Sequence, residues 1–231
     1  MQNSLSNLGV NLTSFSNIDE FMGPFPSWAN VKTIYGAIGD GINDDTQMIQ
    51  NVLNDLGKTG KASVLYLPAG TYKITQTLNL TQARNVSIVS VSPDSVSISW
   101  AGNVGGTILN FQNSAYTGLQ RITLNGNNSA AKGLWIQWDG QNNYFPTTHN
   151  ISDDVFQNIQ IGITGGVTNG YQNSGSEVSI ERSKFINNSV AGVYLNSYGM
   201  LNGGFVILCF KIITMLSAVV LVLSMFIIQF S

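Results

Sequence analysis

Acid–base chemistry needs carboxylates, imidazoles or amines held close together, and this sequence carries few of them. Asp153 and Asp154 are adjacent and Glu177 and Glu181 lie four apart, with Asp139, Lys132, Arg182 and the single histidine, His149, as the remaining candidates. Neighbours on an extended strand point to opposite faces, so Asp153 and Asp154 cannot act as a pair there, and in a turn both would be solvated. Glu177 and Glu181 share a face if their segment is extended. His149 follows Pro146-Thr147-Thr148 and is expected in a loop. A polysaccharide lyase or hydrolase would need such groups projecting from one strand-lined face, and none of these stands in a recognisable catalytic motif.

A second kind of chemistry is stacking. Trp135, Trp138, Tyr144 and Phe145 surround a Gly-Gln-Asn-Asn stretch, and sugar rings present apolar faces that aromatic side chains can hold. Trp135, Trp138 and Tyr144 are therefore the candidate substrate-binding residues. Trp135 falls out of phase with Leu134, Ile136 and Trp138, which turns it outward. The bland alternative is that all four aromatics pack the core and cover a turn.

Three more carboxylates, Asp40, Asp44 and Asp45, lie within six positions. They could form a metal site, but turn and cap chemistry already uses them. Gly36, Gly39 and Gly41 make an irregular loop, and Asp44 is expected to cap a helix with Gln47 completing a capping-box variant. Met48, Ile49, Val52, Leu53 and Leu56 recur on one helical face, so an amphipathic helix runs from about Asp45 to near Gly57. Val64-Leu65-Tyr66-Leu67 then reads as a strand stopped by Pro68, and Ala69-Gly70 turns into Thr71-Tyr72-Lys73-Ile74. A helix ahead of a strand stack is a cap. No metal and no cofactor is expected.

Between Val86 and Leu195 the chain alternates short apolar runs with Gly, Asn and Asp. Val86 and Ile88, then Val96, Ile98 and Trp100, then Ile122 and Leu124, then Leu134 and Ile136, each define one buried face. No helical pattern intervenes, which points to a solenoid in which each coil covers its neighbour. The best internal echo sets Phe156-Gln157-Asn158 against Phe185-Ile186-Asn187, 29 residues apart, with the asparagines expected to form a ladder along the axis. A β-sandwich would show stronger hairpin signals.

The stretch from Asn30 through Gly39-Asp40-Gly41-Ile42-Asn43-Asp44-Asp45-Thr46, followed by Leu65-Tyr66-Leu67-Pro68-Ala69-Gly70-Thr71-Tyr72, resembles the opening segment of the pectate-lyase superfamily, its rhamnogalacturonase and epimerase-like members. The resemblance implies an all-β fold, a right-handed single-stranded parallel β-helix with a short N-terminal capping helix. It also implies a polysaccharide or oligosaccharide as partner and a lyase or glycoside hydrolase as the active class. The Gly-His-Gly and Arg-Ile-Lys signatures of polygalacturonases do not occur in the chain.

The chain has 231 residues, a net charge of −2 and only 10% charged residues. That suits one domain and gives no basic patch, which argues against nucleic acid. A single cysteine, Cys209, rules out an internal disulfide. The expected organisation is an arm over 1–29, a partial β-helix over 30–202 and a hydrophobic tail over 203–231. From Phe205 to Phe230 the tail carries one charge, Lys211, and is long enough to span a bilayer. A membrane anchor is one expectation for it. The other is a one-base frame slip near Asn202, since a shifted frame can encode a further Asn-containing coil, which would leave the protein truncated and inactive. The functional expectations are a polysaccharide-active enzyme, a non-catalytic glycan-binding or tailspike-like module, and a membrane-anchored surface protein.

Overall fold

Runs of alternating apolar residues broken by Asn, Asp and Gly fold as short strands, because each run has one face to bury and no length to spare for a helix. In a computed structural model, which describes residues 23–139, 145–166, 176–196, 209–215 and 218–222, these strands stack in parallel as a β-solenoid. Three sheets result. Sheet A holds Ala29–Asn30, Val64–Leu67, Arg84–Ser90, Ala115–Gln120, Thr147–Ser152 and Ser176–Glu181. Sheet B contains Asp40–Asp44, Gly70–Ile74, Val96–Trp100, Thr123–Asn125, Val155–Gln157 and Lys184–Ile186, and sheet C runs from Leu78–Thr81 through Thr107–Gln112, Lys132–Gln137 and Ile161–Gly166 to Ala191–Asn196.

Each coil passes from A to B to C, and equivalent residues stack in register. The inward columns are continuous: Tyr72, Ile98, Leu124, Phe156 and Phe185 in sheet B, and Leu78, Leu109, Leu134 and Ile163 in sheet C, all buried. The rings of Phe156 and Phe185 lie stacked with centroids 5.2 Å apart, as the 29-residue echo requires. Burial of such a side chain contributes about 1.5–3 kcal/mol, so the columns supply most of the driving force. At the B-to-C corner Asn158 Nδ2 donates to Asn125 Oδ1 and Asn187 Nδ2 to Asn158 Oδ1. The expected ladder is present.

Two helices close the first coil. The short helix α1, Val31–Tyr35, is capped by Asn30, whose Oδ1 accepts from the amides of Lys32 and Thr33; the sequence reading did not anticipate it. The second, α2, spans Thr46–Asp55 and buries Ile49, Val52 and Leu53. Gln50 on α2 accepts from the Asn79 amide and donates to the Asn79 carbonyl, at 2.8 and 2.9 Å. One side chain thus completes the edge of sheet C as a neighbouring strand would.

The cap chemistry differs from expectation. Asp45, not Asp44, stands at the N-cap position, and its side chain makes no helix-capping bond. Instead its buried carboxylate accepts from Ile38 N at 2.7 Å and Gly39 N at 2.9 Å, pinning the glycine loop. Gly39 is required there: its φ is +67°, and a Cβ would come within 2.9 Å of the Tyr72 ring. Asp44 accepts from the Thr46 amide and from the Thr75 hydroxyl. No capping box forms, because Gln47 donates to Asn51 further along the helix. Replacing Asp44 by Ala should lower stability by about 1 kcal/mol through the loss of these exposed bonds, a shift that chemical denaturation would read as a lower midpoint at unchanged slope.

In the tail, Cys209–Met215 pairs in parallel with Lys184–Ile186, and Ala218–Val222 returns antiparallel to it. The rest of 203–231, on which the expectations of a membrane anchor and of a frame slip also rest, lies outside the described residues. Among the described residues no helix is long and apolar enough to cross a membrane.

Candidate functional site

The turn from sheet A to sheet B is two residues long in three successive coils, at Arg121-Ile122, Asp153-Asp154 and Arg182-Ser183. In each the first residue is left-handed, with φ of 63°, 59° and 48° for Arg121, Asp153 and Arg182. That conformation swings the chain through the corner, so the first side chain leaves toward solvent and the second drops into the core. Ile122, Asp154 and Ser183 are accordingly buried. Because the flanking strands are in register, Arg121, Asp153 and Arg182 stack as a column of alternating charge.

Arg182 grips Asp153 with two parallel bonds, Nε to Oδ1 at 2.7 Å and Nη2 to Oδ2 at 2.9 Å, and reaches Glu181 Oε2 at 3.2 Å. The carboxylate of Asp153 in turn holds the Arg182 guanidinium more firmly protonated. Arg121 donates to the Val91 carbonyl. The longer connection 91–95 stands beside this column as a wall, enclosing an open groove of about 430 Å³ lined by Pro93, Asp94, Arg121, Asp153, Arg182 and Lys184. A second open groove, about 330 Å³, continues over sheet B past Ser97, Thr123, Gln157 and Lys184.

Beneath the corner lies Asp154. Its Oδ1 accepts from Ile122 N at 2.8 Å, and its own amide donates to Ser183 Oγ, while its Oδ2 is buried with no partner. Burial raises its pKa well above the ordinary carboxylate value, against the bond from Ile122, and the neighbouring charge of Asp153 adds to the rise. The expected opposition of the two aspartates is correct. The expected solvation is not: Asp154 is sealed.

His149 is also misplaced by its sequence context. It lies on the strand Thr147–Ser152 and faces inward at 1% exposure, not in a loop, with Nδ1 2.7 Å from the Thr117 hydroxyl and Nε2 unpartnered. Desolvation, with a smaller contribution from the charge of Arg84, pushes its pKa down to about 3. Its ring lies 6.0 Å from that of Phe111.

The structure brings Asp153, Glu181 and Arg182 together and leaves Glu177 apart. Glu177 sits near the start of its strand, left-handed and exposed, accepting from Thr148 Oγ1 at 2.8 Å. Four strand positions put its Cα about 13 Å from that of Glu181 at ~3.3 Å per residue, and the two carboxylates bond to different partners, Thr148 and Arg182. Asp139 accepts from Asn113 Nδ2 at 2.9 Å and ties the loop after sheet C. Trp138 packs edge-on against Phe145, centroids 5.3 Å apart. Trp135 is half-buried on the outward side of sheet C, with the Lys132 ammonium 4.0 Å over its ring. Tyr144 lies outside the described residues. Arg121 and Lys184 escaped the sequence reading, although the 29-residue offset carries Asp153 onto Arg182 and Val155 onto Lys184 and would have found two of the groove's cations.

Comparison with known proteins agrees with this fold. The phage protein ORF18 of Geobacillus virus E2 superposes with a TM-score of 0.63 at 21% identity, covering 83% of this chain and 43% of that one. The A-module of the Azotobacter vinelandii mannuronan C-5 epimerase AlgE4 gives 0.57 at 19% identity, over 73% of this chain and 48% of the module. In sequence, mannuronan C5-epimerase AlgE1 of Azotobacter vinelandii is 31% identical over 137 residues, which is 54% of this chain and only 10% of that protein. The chain thus spans about a tenth of the length of that curated relative. Residues 28–189 match the family described as rhamnogalacturonase A/epimerase, pectate lyase-like, and with its parallel coils, asparagine ladder and helical cap the chain belongs to that family.

Proposed function

We propose that these coils hold an acidic polysaccharide, a uronate polymer of the mannuronan kind, along the corner between sheets A and B. The observation that carries this reading is the open groove in which Arg121, Arg182 and Lys184 outnumber Asp94 and Asp153, Asp154 being sealed beneath. Arginine forks suit sugar carboxylates, and Ser97, Thr123 and Gln157 in the adjoining groove offer partners for hydroxyls. That a relative is named for mannuronan supports the same ligand class. Within these coils the carboxylates serve binding and architecture: Asp153 is gripped by Arg182, Asp154 is out of reach, and Glu177 and Glu181 bond to separate partners. A lyase or hydrolase acting on such a polymer is the alternative for the whole protein.

The test is affinity electrophoresis in gels containing polymannuronate or a neutral glucan. Retardation is expected in the acidic polymer alone, weakening with salt and falling about tenfold in a variant carrying Arg182→Ala and Lys184→Ala. Equal retardation by the neutral glucan, or none lost in the variant, overturns the reading. Release of unsaturated uronates or new reducing ends would instead establish the enzymatic alternative.

A further inference from the structure

Sheet C carries an outward column that changes character along the axis. Its first members, Asn79 and Asn110, are joined by an amide ladder, Asn110 Nδ2 donating to Asn79 Oδ1 at 2.9 Å and Gln137 Nε2 to Asn110 Oδ1 at 2.8 Å. In register with them follow Trp135, Thr164 and Tyr194. An amide ladder satisfies itself and stabilises the stack. Two aromatics in the same column add nothing to it, and Tyr194 leaves 52% of its surface in water. Trp135 is half-buried and lies beneath the ammonium of Lys132.

We propose that this face is a second polysaccharide-binding surface, separate from the A–B corner, on which Trp135 and Tyr194 stack on the sugar rings of an acidic chain lying along the solenoid axis. The ligand class rests on the function proposed above; the site does not. The aromatics are two strands apart, about 9.6 Å at ~4.8 Å per strand, which is close to the length of two linked hexopyranose units. A chain along the axis therefore brings every second sugar over an aromatic face, the sugar between crossing Thr164, which is buried between the two aromatic positions. Stacking needs the ring face that Lys132 covers in the free protein, so the first sugar moves the ammonium to the rim, where it meets a uronate carboxylate. The cation selects an acidic polymer and the ring spacing selects its orientation.

Isothermal titration with a mannuronate hexasaccharide tests this on the full chain. The expected stoichiometry is two per chain, falling to one in Arg182→Ala/Lys184→Ala and to the other one in Tyr194→Ala/Lys132→Ala, both sets being surface changes checked by circular dichroism. Trp135→Phe should keep the second site and weaken it by a few fold, and a neutral cello-hexasaccharide should bind it at least fivefold more weakly than the acidic probe. One site that vanishes with Arg182 and Lys184 overturns the sheet C surface and leaves the corner standing. One site that vanishes with Tyr194 and Lys132 supports sheet C and overturns the corner. No binding of the hexasaccharide at all overturns both.

Discussion

Replacing His149 by Leu together with Thr117 by Val should make the protein grow more stable as the pH falls from about 6.5 to 4. The reason is a column in sheet A, Val86, Thr117, His149 and Val178, in which two polar residues sit between two valines and face the core. The folded imidazole has its pKa pushed down to about 3, whereas a free histidine titrates near 6.5. Between those values the unfolded chain binds a proton that the folded one refuses. The stability due to neutral His149 is therefore complete above about pH 6.5 and is lost as the pH falls, by about 1.4 kcal/mol per unit. At pH 4.5 that single contribution is about 2.7 kcal/mol, equivalent by itself to very roughly 5–11 °C of melting point for a chain of this size. The double variant extends the valine column, leaves no orphaned hydroxyl and escapes the loss. Melting curves at pH 7 and 4.5 decide it: a variant whose response to acidification is the same as the wild type's would show that His149 is not held neutral.

Asp154→Asn should have the opposite signature, losing stability relative to wild type on acidification and gaining it as the pH rises. The folded carboxyl of Asp154 keeps its proton well above the pH at which a free aspartate gives it up. The stability it contributes is thus full below about pH 3.8 and is lost as the pH rises toward its folded pKa, again by about 1.4 kcal/mol per unit. Asparagine presents the same acceptor to Ile122 N and an uncharged group where the unpartnered Oδ2 stands. Below about pH 6.5, wherever the folded Asp154 keeps a proton that the unfolded chain gives up, the two groups act in opposite directions. The two contributions offset one another in the wild type there, and each substitution exposes the slope of the other. A wild-type chain whose stability is unaltered by Asp154→Asn at pH 8 would contradict a raised pKa for Asp154.

The coil architecture was legible where apolar periodicity and turn residues agreed. Phe156 and Phe185, the Asn158 and Asn187 ladder and the strands from Val64 to Ile74 all follow from short-range patterns, and each is in the structure. What misled the reading was local context overridden by stacking. Pro146-Thr147-Thr148 looks like a loop, yet the strand begins at Thr147 with Thr148 left-handed, and its register drives His149 inward. Asp154 looks like a solvated turn residue, yet the left-handed Asp153 before it uses up the outward direction. The site was partly legible for the same reason. Asp153, Glu181 and Arg182 were singled out by type, but their meeting depends on an interval of 29 residues that another coil stretches to 32. An unequal repeat hides a column that an exact one would display.

That interval bears on how the protein is made. Every rung finds its partner one coil back, at intervals from 23 residues for Val64 and Ser87 to 36 for Ala29 and Leu65, so the loop closed by each new rung stays within that range. The entropy of closure grows only with the logarithm of loop length, and here it does not grow at all with the number of coils. Structure can be added at a fixed cost as the chain leaves the ribosome, beginning at the end that α2 and Gln50 have already sealed. A nascent chain that stops ahead of Ser176–Glu181 would then lack the coil that runs from that strand to Ala191–Asn196 and would hold all the earlier ones in place.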